Sequence, residues 1–185
     1  MTFWQDPGLE PKRSFRFTMS VAGLEDVIPS FLITKVNKPS FTISESEHKY
    51  LNHTFWYPGR VTWNDVSFTI VDVIDSVSNG TQAVMKMLET AGYQLPVDDG
   101  VKGSVSKARS VSALGTITIH QIDADGNKVE DWVLKNAWIN DAKFGDLDYG
   151  SEDMQNVEIS LKYDNAYVNI YQGVGKLPSN APGAN

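Results

Sequence analysis

The three histidines are the residues best suited to chemistry, because imidazole can bind a metal or move a proton near neutral pH. His48 and His53 are five positions apart in a polar segment that also contains Glu45 and Glu47. A metal site needs ligands that converge, and this spacing on a loop is a weak match. His120 lies in an alternating segment typical of a strand. We therefore expect His48 and His53 at the surface or an interface, and His120 in cross-strand packing.

The acidic motifs do not predict a catalytic site either. The segment 123–127 superficially resembles a calcium loop, but such a loop needs glycine at position six and glutamate at position twelve. Here Gly126 is fourth and Leu134 is twelfth, so the segment predicts a hairpin turn. Glu152 and Asp153 are adjacent, whereas a glycosidase holds two carboxylates across a cleft. Since the chain also lacks cysteine, a nucleophile-elbow serine and a phosphate-binding glycine loop, we expect no enzyme activity, metal or cofactor.

The aromatic cluster Phe55-Trp56-Tyr57 indicates an interface. Three consecutive large rings on a strand cannot all face one core, so at least one faces outward. Outward aromatic side chains are enriched where proteins contact each other. The alternative is an outward ring covered by a loop of the same chain, and the sequence leaves both open.

Negative charge is concentrated in one part of the chain, which has 185 residues and a net charge of −7 at neutral pH. The span from Asp123 to Asp164 holds 11 acidic and 4 basic side chains, a balance of −7, while the rest holds 12 of each. An acidic surface repels phosphate, which argues against a DNA-binding protein. The excess predicts either a solvated face or a surface that DNA passes without adhering.

The elements that must position these residues are mainly strands, because apolar and polar residues alternate along most of the chain. The segment from about 45 to 59 is expected to be a polar loop that ends in a turn at Pro58-Gly59. No apolar run is long enough to span a bilayer, so no membrane insertion is expected. The predicted strands are 15–21, 30–36 with a continuation at 41–43, 61–74, 114–122, 129–139 and 157–163.

One helix is predicted at about 80–92, capped by Asn79 or Thr81 and ended by Gly92. The polar segment 98–112 predicts a long loop. Residues 1–13 are expected to form an extended arm and residues 173–185 a flexible tail. These patterns indicate one mainly β domain at 14–172, an antiparallel β-sandwich or barrel with one flanking α-helix.

Residues spread over most of the chain carry a resemblance to a known family. In their spacing the chain resembles the tail tube proteins of contractile-tailed bacteriophages of the T4 type. The residues are Asp6-Pro7, Phe15-Arg16-Phe17, the segment from Glu45 through Tyr50, Pro58-Gly59, Trp63, Val71-Asp72, Trp132, Asn136-Ala137, Lys143-Phe144-Gly145, Leu147-Asp148-Tyr149 and Tyr163-Asp164-Asn165-Ala166.

The resemblance implies hexameric rings whose sheets join into one continuous inner β-barrel. It implies that the rings stack into the tube of a virion tail, assembled in the host cytoplasm, through which the genome is ejected. The implied partners are further copies of the chain and the sheath, tape-measure, baseplate and tail terminator proteins. Genomic DNA would cross the channel without specific binding.

The resemblance also implies that the loop at about 45–59 reaches the adjacent ring. Which acidic side chains face the channel depends on strand register, since a slip of one residue turns every side chain to the other face. The inter-ring candidates are Glu45, Glu47, Tyr50, Phe55, Trp56 and Tyr57; the channel-facing acidic candidates are Asp123, Asp125, Glu130 and Asp131.

Two other functions compete with the phage tail tube. One is the tube of a phage-derived contractile injection machine that carries no genome, which shares the fold. The other is a carbohydrate-binding or hydrolytic β-sandwich, in which exposed aromatic rings serve as platforms for sugars.

Overall fold

The computed structural model of the protein describes residues 11–24, 28–75, 79–94 and 103–171. The predicted tail at 173–185 and all but the last three residues of the predicted arm lie outside this range. The described part contains ten strands, two α-helices and one 3-10 turn at Ser30–Leu32. The strands are β1 (Phe17–Val21), β2 (Ile33–Val36), β3 (Phe41–Tyr50), β4 (His53–Trp63), β5 (Val66–Val71), β6 (Ile117–Ile122), β7 (Lys128–Lys135), β8 (Trp138–Lys143), β9 (Asn156–Lys162) and β10 (Asn165–Ile170).

The strands form two four-stranded sheets and one long hairpin. Sheet I has the order β1-β6-β7-β10, and sheet II has the order β2-β5-β9-β8. The hairpin of β3 and β4, called the ribbon below, is a sheet of its own. Every pairing is antiparallel, and some paired strands, such as β1 with β6 and β5 with β9, are distant in the sequence.

The two sheets pack face to face around one hydrophobic core. Strands β5, β6 and β9 alternate between buried and more exposed residues, and the buried ones are apolar except Gln121, which leaves one face of each sheet for the core. Phe68 and Ile70 of sheet II meet Met19 and Ile119 of sheet I in this core. The predicted mainly β, antiparallel sandwich is therefore confirmed.

The predicted helix is confirmed as α1, Gly80–Thr90. The side chain of Asn79 accepts a hydrogen bond from the backbone N–H of Gln82, which satisfies one free donor of the first turn. Asp72 accepts from the N–H of Gly80 at 2.8 Å and from the hydroxyl of Thr81 at 2.6 Å. The chain thus fixes the start of α1 from two directions.

The predicted loop at 98–112 is wrong from Lys107 onward, where a second helix begins. Helix α2 spans Lys107–Leu114, and Ser106 caps it by accepting from the N–H of Arg109. It packs on α1 and on β8. Only Ser110 and Leu114 are buried, so its apolar stripe is too narrow to mark a helix in the sequence.

The predicted turn at Pro58-Gly59 is also wrong, because both residues lie inside β4. The hairpin turns instead at Leu51, which adopts a positive φ of 51°. Pro58 and Gly59 fit within a strand because β3 has an irregular register between Ile43 and Glu45, opposite them. Proline and glycine are tolerated at such bulges.

The predicted strand at 129–139 is interrupted. Asn136 adopts a positive φ of 54°, which ends β7 and starts β8 in the other sheet. Asparagine accepts this conformation more readily than most residues. The predicted hairpin turn at 123–127 is present, with Gly126 at a φ of 84° and Asp123 accepting from the N–H of Asp125 and Asn127.

Candidate assembly surfaces

The ribbon projects from the sandwich with almost nothing packed on it. All ten residues of β3 and all of β4 except Trp63 are exposed. At about 3.4 Å per residue, strands of this length extend on the order of 30 Å. The ribbon nevertheless carries large apolar side chains, including Trp56 at 59% exposed and Leu51 at 86%.

Both faces of the ribbon are apolar in part. The register pairs Tyr57 with Ser46 and Phe55 with His48, which places both rings on one face of the outer half. Trp56 pairs with Glu47 and lies on the other face. Near the sandwich, the rings of Phe41 and Trp63 meet edge to face at 5.6 Å between centroids. A surface of this kind is expected to be covered by a partner.

The six inter-ring candidates all lie in the ribbon. The structure therefore brings them together on one element, although a paired hairpin replaces the expected loop. His48 and His53 also lie on the ribbon and are exposed, and His120 lies on β6 opposite Asp131. Within the four described ranges no group of three or more His, Cys, Asp or Glu side chains could hold a metal ion.

Two of the four channel-facing candidates are buried in the subunit. Glu130 and Asp131 are each only 6% exposed and are paired inside the subunit. Glu130 forms ion pairs with Lys12 and Lys38, whose hydrogen bonds outweigh its burial and lower its pKa from 4.5 to about 2. Both carboxylates are neutralised by neighbours in the same chain, which argues against a channel-facing role for them.

Asp131 is held by three groups on the outward side of sheet I. His120 Nδ1 lies 2.6 Å from Asp131 Oδ1, and the hydroxyl of Tyr171 donates to Asp131 Oδ2 at 3.1 Å. Lys128 lies 3.8 Å from the same carboxylate. The predicted cross-strand role of His120 thus includes a specific polar partner. Asp123 and Asp125 lie in the exposed hairpin turn, and a channel-facing position for them stays a prediction.

The outer face of sheet II points away from the core, and its centre is polar and electrically balanced. Its two central rows are Lys35, Thr69, Glu158 and Lys143, then Ser67, Ser160 and Asp141. Lys143 lies 4.0 Å from Glu158 and 3.8 Å from Asp141. Two lysines therefore face two carboxylates, and large apolar side chains are absent from these rows. The strong acidity expected of a channel face is not found here.

A groove opens beside β8, at one free edge of sheet II. It has a volume of about 290 Å³ and lies between α1, α2 and β8. Its exposed apolar lining includes Met85, Leu88, Val105 and Phe144. The groove was not predicted, since α2 and β8 form two of its walls and neither was expected as a separate element. The Ser106 cap is the sequence signal that could have revealed α2.

The fold matches solved structures from contractile injection machines. A chain of the sheath/tube terminator of the extracellular contractile injection system PVC has a TM-score of 0.61, with 19% identity over 86% of this chain and 97% of that one. The fold is that of contractile-tail tube proteins. A chain of the tube-terminating cap of the anti-feeding prophage matches with a TM-score of 0.61 and 14% identity, over 92% of this chain and 99% of that one.

A third tube-fold match is a chain of the PVC sheath-tube complex, with a TM-score of 0.58 and 18% identity, covering 87% of this chain and 93% of that one. These solved structures are structural parts of particles rather than enzymes. By sequence, the chain matches no protein-family profile and no curated protein. Among the described residues, no helix is long and apolar enough to cross a membrane.

Proposed function

We propose that this protein is the tube subunit of a contractile, tail-like machine, in which six copies form a ring and rings stack into a hollow tube. The exposed ribbon is the observation that carries the proposal. An isolated two-stranded hairpin is at best marginally stable in water, so a ribbon this long and this apolar requires a partner. A further copy of the chain is the partner that the tube fold supplies.

Two kinds of contact are needed, and the chain offers a surface for each. Within a ring, the free edges β2 and β8 allow sheet II to continue into the next copy, which removes exposed strand edges. Between rings, the ribbon extends toward the adjacent ring, which covers the aromatic side chains of the ribbon. Stacking is a contact between two different surfaces that does not close, so it continues into a filament.

In this arrangement the outer face of sheet II lines the channel. Its small hydroxyl side chains and balanced charges give a passing molecule neither an apolar surface nor a net field to bind to. A continuous barrel built from this sheet places its core face outward, against sheet I and helices α1 and α2, and its polar face toward the axis. The channel is then weakly adhesive because it is neutral, and strong acidity is not required.

Among contractile machines, we favour an injection machine without a genome over a phage tail. The balanced face of sheet II lacks the acidity expected for DNA passage, and the matching solved structures include parts of the extracellular contractile injection system PVC. In a phage, the same subunit would carry the genome and would meet sheath, tape-measure, baseplate and terminator proteins. Electron microscopy of particles from producing cells separates the two, since DNA-filled heads on the tails would support the phage.

The test of the tube proposal is electron microscopy of the purified protein over a range of concentrations. We expect hollow six-fold rings that stack into tubes of uniform width as concentration rises. The carbohydrate-binding sandwich makes the opposite prediction, namely a monodisperse monomer that binds or cleaves glycans. A chain that stays monomeric at high concentration would refute the tube subunit.

A further inference from the structure

Phe31 is exposed although the two residues that follow it are buried. It lies in the 3-10 turn Ser30–Leu32, directly before the edge strand β2. Its side chain is 79% exposed, whereas Leu32, the last residue of the turn, and Ile33, the first residue of β2, are buried in the core. A phenylalanine held on a short, anchored turn is well placed to insert into another surface, because little conformational freedom is lost on binding.

The groove beside β8 is a suitable acceptor at the opposite edge of the same sheet. β2 and β8 are the two free edges of sheet II. Because strand directions alternate across this sheet, β2 of a copy placed alongside in the same orientation runs antiparallel to β8. The copy that presents Phe31 at one edge therefore presents the groove at the other.

The two edges have the same irregular spacing of inward residues. In β2 the register shifts so that Ile33 and Val36 both face the core, three positions apart. In β8 a matching shift leaves Ile139 and Ala142 facing the core, also three positions apart. Placing Ile33 beside Ala142 and Val36 beside Ile139 keeps all four on the core side, which few other registers do.

The same register brings opposite charges together on the outer face. Lys35 lies between Ile33 and Val36, and Asp141 lies between Ile139 and Ala142, and both point away from the core. In the antiparallel placement they become near neighbours across the strands. A pair of opposite charges at this position favours the register, and two like charges would oppose it.

Continued by two residues beyond Ile33 and Ala142, this register places Phe31 beside Phe144, at the mouth of the groove. We infer that Phe31 of each copy docks into the groove between α1, α2 and β8 of the next copy and so fixes the register of the ring. The inference rests on the proposed ring. The inference adds to the ring the anchor residue, the acceptor site and the register of β2 against β8.

Cysteine cross-linking tests the placement directly, because the chain has no cysteine of its own. The Phe31→Cys, Phe144→Cys double variant is assembled and then treated with an oxidant or a short bismaleimide. Neighbouring copies should become cross-linked, giving a ladder of bands on a denaturing gel that ends at the hexamer. The matched control is Phe31→Cys with Tyr149→Cys, since Tyr149 is fully exposed and lies outside the groove. Equal linking in both pairs, or none in the first, overturns the docking.

A charge exchange tests the register independently. Lys35→Asp or Asp141→Lys alone should raise the concentration for half-maximal ring formation, while the double exchange should restore it. Phe31→Ser should raise that concentration by about tenfold or more, since a buried phenylalanine is lost. Unchanged assembly of Phe31→Ser, in rings that the wild-type protein forms normally, overturns the inference and leaves the tube function standing. Failure of the wild-type protein to form rings overturns both.

Discussion

Glu130 and Asp131 are neighbours in β7, yet they point to opposite faces of sheet I. Glu130 shares the core side with Trp132, whose indole N–H donates to it at 3.2 Å. Asp131 shares the outer side with His120, its partner across the strands. In the amino-acid composition both residues count as negative charges. Only the strand register and the side-chain contacts show that each carboxylate is neutralised by its neighbours. Counting charges along the sequence could not separate these carboxylates from the exposed Asp125.

The ion pairs of Glu130 predict a defined pH dependence. Because its folded pKa is lowered to about 2 from 4.5, its stabilising effect is complete above pH 4.5 and is lost as pH falls toward 2. We expect Glu130→Gln to lower the free energy of unfolding at pH 7 by about 1–3 kcal/mol and to flatten the pH dependence in that window. Thermal melts followed by circular dichroism at fixed, low protein concentration measure both effects.

Glu158→Gln is the matched control for this prediction. Glu158 is exposed and its lysine is 4.0 Å away, so its loss should change stability by less than about 0.5 kcal/mol. Similar melts for the two variants would contradict the buried ion pairs at Glu130.

At the scale of elements, the sequence was sufficient wherever local signals agreed with burial. Strands β6 and β9 alternate cleanly because one face of each lies on the core. Helix α1 has an Asn79 cap and a glycine at its end. The ribbon and α2 were not predicted correctly, because neither has a broad apolar face toward its own subunit. Elements that bury few side chains in their own subunit lack the periodicity that marks a core.

The ribbon predicts separate effects on folding and on assembly. Replacing Phe55 and Trp56 with serine removes two exposed rings on opposite faces of β4. The subunit should fold with unchanged circular dichroism, since neither ring contributes to the core cluster. Tubes should be lost or should require much higher protein concentration, as seen by negative-stain electron microscopy.

Leu147→Ser replaces an even more exposed apolar side chain outside the ribbon; it serves as the control and should assemble as the wild type does. Normal tube formation by the Phe55→Ser, Trp56→Ser variant would show that the ribbon is not the inter-ring contact.

In the proposed ring the whole molecule carries complementary surfaces on opposite sides, which is the arrangement that produces ordered assemblies from one kind of chain. Edge β2 and Phe31 lie on one side, and β8 with its groove lies on the other. The core of each subunit is complete by itself, so assembly adds stability to a chain that is already folded. The resemblance in sequence indicated this architecture, but the docking surfaces required the positions of α2 and β8.

Coupling of folding to assembly predicts that the melting temperature rises with protein concentration. Association stabilises the folded state by mass action. Each tenfold increase of the subunit concentration above the dissociation constant adds about 1.4 kcal/mol. For a domain of this size, each added kcal/mol of stability raises the melting temperature by roughly 2–4 °C. Differential scanning fluorimetry across a hundredfold concentration range should show this rise. A melting temperature independent of concentration would contradict assembly from subunits that fold first.

The exposed ribbon also affects how long a single subunit survives. Proteases cut exposed, extended backbone that lacks tertiary packing, and the span 41–63 is the longest such backbone among the described residues. Once neighbouring copies cover it, the same peptide bonds are out of reach. In the proposed tube, we expect unassembled copies to be degraded faster than assembled ones, so that degradation removes the surplus that a growing tube does not use.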